Sequence, residues 1–433
     1  MDRDARLGGK LRTDAEGAFL LEAGPDSFLT RKPAGLRLAQ EIGLEDRLLP
    51  RSAQPASAYV THRHVLCPIP EGFSGMVPTD LEALGKSPVL SGAGRDRALQ
   101  ELSVPAARDN GDVSVASFME RRYGQEAFQL LIEPMLSGIY AADARLLSLD
   151  ATFPHLRAME REHGSLTRAF AAAPARPVSS APPFLSFVNG MEEMARVLAA
   201  SLDGARIHKG MAVHAVTRHR GGYRIATSRG NVEADACVFA VPADQTARIL
   251  AGLSPSAAES AAAVPFSTSA IVHLAYAEQD APRPLDAYGY LIPAAEGSLL
   301  LGCTWMSQKW KGRAPEGALL LRLHAGRYGR DQARSMTDQD LVSLCRAEVK
   351  ATLEISAAPV LFRVHRWENG MPQYTLGHTE RRAAVEASLA EHPGLFVAGS
   401  SWHGVGIPDC IESGERAAAA ALAFLGRGDR HND

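Results

Sequence analysis

Cysteine is scarce in this 433-residue sequence: Cys67, Cys237, Cys303, Cys345 and Cys410 lie far apart, with no C-x-x-C pair. That pattern excludes a disulfide framework and zinc-ligand spacing, so no metal is expected; it fits a reducing compartment, the cytoplasm. An excess of one charge is also missing. Lys and Arg total 46 against 49 Asp and Glu, a net charge of −3, which leaves no electrostatic footprint for nucleic acid. Long apolar runs are absent too. The run Ala417–Leu425 is less than half of the roughly twenty residues a spanning helix needs, and the charged start MDRDARLGGKL has no signal-peptide apolar region. No G-x-S-x-G, H-E-x-x-H or G-x-x-x-x-G-K-[ST] occurs, so serine hydrolase, zinc peptidase and P-loop chemistries lack their anchors. The 14 histidines are scattered, and isolated ones such as His155 and His324 read as structural. No side chain stands out as a general base.

What is present is a globular composition, 46% hydrophobic and 22% charged, long enough for two or three domains. Phe19–Glu22 reads as a strand feeding the turn Gly24-Pro25-Asp26-Ser27. Residues 33–48 carry a helical face (Leu36, Ala39, Ile42, Leu44), and 51–113, rich in Pro, Gly and Ser, predict only weak elements. Ser114 suits a helix N-cap ahead of Val115, Phe118, Met119 and Tyr123; Gly124 ends that helix, and a second stripe runs from Ala127 to Pro134. Later, 236–241 and 319–323 read as buried strands, Gly221-Gly222 as a hairpin turn, and 191–201, 243–251 and 338–354 as helices. The class is mixed α/β with a helical insertion over about 80–165.

Two glycine-rich places invite a ligand. Gly8-Gly9, between Arg6 and Lys10, lets backbone approach a flat or phosphorylated group, although a surface turn reads equally well. Near the end, Val397-Ala398-Gly399 and then Gly404-Val405-Gly406-Ile407-Pro408-Asp409-Cys410 predict a strand, a loop and a helix with Ile411, Ala418, Leu422 and Leu425 on one face. Such a helix start offers free N–H groups and partial positive charge, suited to an electron-rich group; an ordinary βα crossover is the alternative.

Several stretches carry a resemblance: R-L-G-G-K, E-A-G-P-D-S-F-L-T (22–30), I-P-E-G-F (69–73), E-P-M-L-S-G-I-Y (133–140), L-D-A-T-F-P (149–154), E-R-E-H-G-S-L (160–166), M-P-Q-Y-T-L-G-H (371–378) and the G-V-G-I-P-D-C-I run. Together, from about residue 6 to 425, they resemble the protoporphyrinogen/coproporphyrinogen oxidases within the flavin monoamine-oxidase-like superfamily. The double glycine is weakly diagnostic; E-P-x-L-S-G-I-Y and P-Q-Y-x-x-G-H are far more specific. The resemblance implies an FAD-linked double-glycine oxidoreductase fold with a mixed-sheet substrate domain. An FAD domain would use 1–50, 185–255 and 385–433, and a substrate domain 51–79, 166–184 and 256–384. The helical region of 80–165 meets the inner membrane face in some relatives. Implied too are non-covalent FAD, oxygen as acceptor with hydrogen peroxide as product, and oxidation of a porphyrinogen in haem synthesis.

Residue by residue, the resemblance sets Arg6, Gly8, Gly9 and Lys10 beside the FAD phosphates and ribityl chain. It sets Gly24, Pro25, Asp26 and Ser27 along the flavin ring, Val213 at adenine, and Val405, Gly406 and Ile407 at the pyrimidine end. Two departures accompany it. The superfamily's opening strand and G-x-G-x-x-G turn are missing, so the fold is expected to be N-terminally truncated, with Asp2 near the place of the ribose carboxylate. Mitochondrial-type relatives carry an arginine after the P-x-G-[FL] turn, where this sequence has Ser74; carboxylate recognition then falls to Arg95 and Arg97. Two alternatives stay open: another double-glycine flavoenzyme of the amine oxidase or carotenoid desaturase type, and a truncated non-catalytic relative.

Overall fold

A computed structural model of the chain describes residues 1–53, 57–107, 111–172, 182–330 and 332–428. Its largest element is a mixed seven-stranded sheet. The strand order is Leu361–Pro372, Phe266–Ala277, Ala318–Ala325, Leu300–Trp305, Gly289–Leu291, Tyr59–His62 and Val65–Pro68. Every pairing is antiparallel except that of Gly289–Leu291 with Tyr59–His62. Side chains alternate between faces along each strand. Val272, Leu274, Leu321 and Leu323 point to one face, where Leu341, Val342, Cys345 and Val349 of the helix Asp338–Leu353 cover them. The register His273↔Arg322 and Ala275↔Leu320 puts those residues on the other face. There Ala275, Leu320, Met306 and Trp310 pack with Leu21 of the hairpin Thr13–Glu16/Phe19–Glu22. One face is thus an ordinary apolar core, and the second, partly polar, backs onto the glycine-rich start of the chain.

A parallel pair, Cys237–Phe239 with Leu395–Val397, lies near an antiparallel meander of Val213–His219, Gly222–Thr227 and Gly230–Ala234. Its tight turn takes Arg220 and Gly221 to φ of 47° and 84°, as a two-residue hairpin with positive φ at both positions requires. The helices Ala243–Leu250, Pro255–Ala262 and His378–Ala390 share a core with these strands.

Residues 81–172 are a helical layer around Phe118, Met119, Tyr123, Phe128, Leu131, Leu136, Leu156 and Leu166. Ser114 caps the helix Val115–Tyr123 by accepting the Ser117 N–H, and Gly124 ends it at φ 87°. The expected stop at Pro134 does not occur. Residues 125–140 stay helical through Pro134, because the turn Phe128–Ile132 widens to π-helical and Pro134 enters the next turn at its start. There its missing N–H and bulky ring are tolerated.

Other expectations are also corrected. The helix expected over 33–48 is shorter, Ala34–Glu41, and the chain then turns through Glu45–Arg47 into a strand Leu48–Pro50 paired with Phe184–Phe187. The weak stretch 51–113 supplies two strands of the large sheet and two capped helices. Asp80 accepts the Ala83 N–H, and Ser91 accepts the Gly94 N–H. Short strands and brief helices leave little periodicity to read, which is why they were missed. The last helix begins at Ile407 and runs to Gly428. Its packed side passes through Ile407, Ile411, Ser413 and Ala417, while Leu422 is 69% exposed.

The helical layer is pinned by a buried ionic cluster. Arg122 donates to Glu101 (2.8 Å), Glu160 (3.1 Å) and the carbonyl of Val104 (2.9 Å), and Glu101 also accepts the Leu166 N–H at 2.9 Å. Removing one partner of such a cluster strands the others in low dielectric, at about 3–5 kcal/mol. Arg122→Ala is therefore expected to lower stability by that amount. Urea unfolding that shows less than about 1 kcal/mol would mean that water reaches the two carboxylates.

Candidate active site

The site begins where two backbone segments cross. A Cβ on Gly24 would fall 1.7 Å from the carbonyl oxygen of Lys10, so only glycine permits this approach. Gly8 has φ of 99°, and its Cβ would meet Ala195 at 2.8 Å; at Gly9, φ 53°, a Cβ would meet open space. Arg6 binds this loop from below, donating to the carbonyls of Leu7 (2.9 Å) and Leu11 (2.8 Å) and to Gly9, with Glu192 at 3.3 Å. Glu192 opens the helix Glu192–Ala200 and accepts the Thr13 N–H at 3.0 Å. Among the described residues, the Lys10 ammonium has no hydrogen-bond or ion-pair partner. Burial lowers its pKa, against the neighbouring Cys410 and Asp244.

Below the crossing lies a row of buried charges. Glu22 pairs with Arg313 (3.2 Å) and accepts from Thr13 (2.8 Å) and the Met191 N–H (3.1 Å); burial nonetheless raises its pKa. Asp26 accepts from Lys309 at 2.7 Å, from the Trp310 indole at 3.1 Å and from Ser27 at 2.8 Å. Burial alone would raise this carboxyl, but the charges of Lys309 and Arg322 and its hydrogen bonds hold it well below the ordinary carboxylate range. Arg322 reaches from the polar face of the large sheet to donate to the Gly24 carbonyl, and Trp367 donates to that of Ala23 at 2.6 Å.

The second glycine-rich loop closes the site from the other side. Gly404 takes φ of 123°, and its N–H donates to the Tyr374 hydroxyl at 2.7 Å, which itself donates to the Ser400 carbonyl at 2.8 Å. A Cβ on Gly404 would meet the Asp409 carboxyl carbon at 2.6 Å. Asp409, in the first turn of the helix Ile407–Gly428, grips Lys32 at 2.5 and 2.7 Å. Among the described residues, no acceptor takes the N–H of Val405 or Gly406. Val405 packs against the helical layer, and Ile407 against the cluster around Phe28 and Phe187. The tyrosine ring is stacked on His378 at 3.8 Å and 12°. Gln373, beside it, donates to the carbonyl of Tyr140 at 3.0 Å and to Ser267 at 3.1 Å.

The structure thus brings Arg6, Gly8, Gly9, Lys10, Gly24, Pro25, Asp26 and Ser27 together, and the electrostatic reach between Lys10 and Cys410 links them to Val405, Gly406 and Ile407. Val213 lies apart, at the start of its strand and paired with Thr227; the chain start runs beside its approach, through Met211 N–H to Asp2 O at 2.8 Å. Arg95 and Arg97 sit in the helical layer on Gly92–Leu99. Arg97 is committed to the carbonyls of Arg121 (2.6 Å) and Arg122 (3.2 Å) and lines an outer cleft with Gly124 and Glu126. Neither touches the groups just described. Lys32, Arg322, Lys309, Trp310, Tyr140, Tyr374 and Asp409 were not singled out. Tyr140, Tyr374 and Asp409 lie within the family-like stretches, which offered a signal; Arg322 is hidden in an apolar strand and offered none.

Two substitutions test this geometry. Gly24→Ala is expected to cost about 3 kcal/mol or more, since backbone must move, whereas Gly9→Ala costs about 1 kcal/mol for its left-handed φ. Equal unfolding midpoints for the two variants would contradict the crossing. His378 is held neutral by burial first, then by Arg381 and Arg382, with its pKa pushed down to about 3. Between about 6.5 and that value the unfolded chain binds the extra proton. Stability is therefore full above this window and falls with pH by up to about 1.4 kcal/mol per pH unit. His378→Phe keeps an aromatic stack, and unfolding curves from pH 7 to 4 should show a shallower acid slope.

The chain can now be set beside known proteins. A family model described as flavin containing amine oxidoreductase matches residues 2–422. The coproporphyrinogen III oxidase of Bacillus subtilis (strain 168) is 31% identical over 98% of this chain and 91% of its own length. The protoporphyrinogen oxidase of Bos taurus is 28% identical over 96% and 91%. Among solved structures, a protein from Exiguobacterium sp. 255-15 assigned as a protoporphyrinogen oxidase superposes with a TM-score of 0.85 at 28% identity, covering 98% of this chain and 91% of that one. Reduced UDP-galactopyranose mutase, at 17% identity and a TM-score of 0.70, shares the fold. With matches that span nearly its whole length, the chain belongs to the flavin-containing amine oxidoreductase family.

Proposed function

We propose that the chain is an FAD-dependent oxidase that converts a porphyrinogen, coproporphyrinogen III or protoporphyrinogen IX, to the porphyrin in haem synthesis. The observation that carries the flavin half is the partnerless, half-buried Lys10 ammonium within reach of a loop whose Val405 and Gly406 N–H groups lack acceptors. A site of that make-up suits an electron-rich, phosphorylated group. The porphyrinogen half rests on the relatives: those named for this chemistry reach 32% identity, whereas putrescine oxidase, at 14%, speaks only for the fold.

In this reading Val405, Gly406 and Ile407 hold the pyrimidine end of the flavin, Gly24 to Ser27 border the ring, and Arg6, Gly8, Gly9 and Lys10 take the ribityl chain and phosphates, with the Val213 backbone at adenine. The flavin, when bound, supplies the two-electron acceptor for the macrocycle's hydrogens. Lys10 offers a cation whose desolvation is already met by the fold. Asp26, fixed ionised by Lys309 and Trp310, orients the turn without offering a base near neutral pH. Burial pushes the Cys410 pKa up to about 11, so it stays a thiol near neutral pH, and the FAD is read as held non-covalently. Hydride removal needs charge stabilised at the acceptor more than a side-chain base. Dioxygen would take up the electrons and protons as hydrogen peroxide, and the helical layer would carry any contact with a membrane surface. No helix among the described residues is long and apolar enough to cross one.

The test is direct. The chain loaded with FAD should oxidise coproporphyrinogen III or protoporphyrinogen IX with a rise in porphyrin fluorescence and peroxide, and Lys10→Met should weaken FAD binding about tenfold, or about 1.4 kcal/mol. Protein that stays colourless after loading, or loaded protein that oxidises neither porphyrinogen, would overturn the proposal.

A further inference from the structure

Opposite the start of the last helix, the helical layer presents a short aromatic wall. The rings of Tyr140 and Phe153 meet edge-on at 5.8 Å, and those of Phe153 and His155 at 6.2 Å. Tyr140 and Phe153 keep part of their surface open, and among the described residues the Tyr140 hydroxyl has no hydrogen-bond partner. Asp409 lies close enough to Tyr140 to add to the burial that raises its phenol pKa. Near this wall lie Lys32, bonded to Asp409 at the start of the last helix, and the exposed Arg31 before it, which has no hydrogen bond or ion pair among the described residues. Both cations bear on His155, whose pKa burial lowers first and Arg31 and Lys32 lower further. Three cationic or protonatable groups thus gather along an edge of aromatic rings, with a single carboxylate among them. Arg31 has no carboxylate opposite it among the described residues, and Lys32 is bonded to Asp409 alone, so a ligand bearing carboxylates would supply the missing counter-charge.

We propose that Arg31, Lys32 and His155 form a carboxylate-anchoring subsite for the acidic side chains of a flat macrocycle whose face lies against Tyr140 and Phe153. This rests on the porphyrinogen reading above and adds to it the groups that select a carboxylated substrate. Two facts make the place suitable. Arg97, the earlier candidate, is spent on the carbonyls of Arg121 and Arg122. Lys32, in contrast, is held by a carboxylate that a substrate carboxylate can displace or join, and it stands at the N-terminus of a 22-residue helix, where anions are favoured. Arg31 would take a carboxylate in a two-pronged fashion and His155 by a single N–H.

The experiment compares coproporphyrin III with its tetramethyl ester, equal in ring and unequal in charge, binding to the FAD-loaded full chain by tryptophan quenching, alongside KM and kcat for the porphyrinogen. Wild type should prefer the acid. Arg31→Gln/His155→Gln should bind the acid about tenfold more weakly and raise KM by a similar factor, with the ester unaffected and kcat within about twofold. Arg31→Lys should recover part of the acid preference. Acid binding unchanged in the double variant, or acid and ester weakened alike, overturns the anchor. Wild type that binds acid and ester equally overturns it also, while leaving the porphyrinogen reading intact. Wild type that binds neither overturns both.

Discussion

The close passage of Gly24 over the Lys10 carbonyl sets the rest of the site. Because no side chain can stand between these segments, the hairpin Thr13–Glu22 is tied at both ends, with Ala23 N–H bonded to Arg12 O at 2.9 Å as its last rung. The turn that follows must then dive beneath the loop Gly8–Gly9, carrying Asp26 into the interior. A carboxylate placed there is costly unless cations meet it. The large sheet supplies them: Arg322 by its register opposite His273, and Lys309 from the short helix Met306–Lys309 after the strand Leu300–Trp305. The polar face of the sheet answers the crossing, since an apolar face would deprive Asp26 of the Arg322 charge.

These buried pairs do more to specify than to stabilise. Glu22 with Arg313, and Asp26 with Lys309, each spend in desolvation much of what their attraction returns. What they enforce is register. If the strand Ala318–Ala325 slipped by one residue, Arg322 would turn into the apolar core beneath the helix Asp338–Leu353 and lose the Gly24 carbonyl. The sheet and the glycine-rich start of the chain are thereby held to one mutual placement.

Legibility in the sequence followed periodicity and spacing. The helix Val115–Tyr123 could be read because Ser114 and Gly124 bracket a regular apolar stripe, and the hairpin at Gly221 because positive φ demands such a residue. The strands Tyr59–His62 and Val65–Pro68 could not, since each has only four residues and Tyr59–His62 joins the large sheet through Gly289–Leu291, more than two hundred positions away. The same limit governed the site. Gly24, Asp26 and Gly406 were visible because their residue types are unusual for a local reason. Arg322, Lys309 and Lys32 matter only through partners distant in sequence, 298 residues away for Arg322 with Gly24 and 377 for Lys32 with Asp409. Pro134 misled because a prolyl residue normally ends a helix, and the widened turn before it answers that constraint in a way no local pattern announces.

The stretches most specific to the family turn out to be joints. Glu133 and Ser137 both bind Arg327, just past the end of the sheet strand Ala318–Ala325, and Glu133 also accepts the Ala294 N–H at 3.1 Å. Gln373 reaches the Tyr140 carbonyl, while Tyr374, the next residue, receives the Gly404 N–H. A movement of the helical layer would thus be felt at Tyr140, passed along the backbone of Gln373–Tyr374, and delivered to the loop whose Val405 and Gly406 N–H groups have no acceptor among the described residues. None of these residues need react to be indispensable. In a site whose chemistry is supplied by a bound flavin, the protein's own contribution is placement. That placement falls to residues that join three layers at one loop, where E-P-M-L-S-G-I-Y, P-Q-Y-T-L-G-H and G-V-G-I-P-D meet.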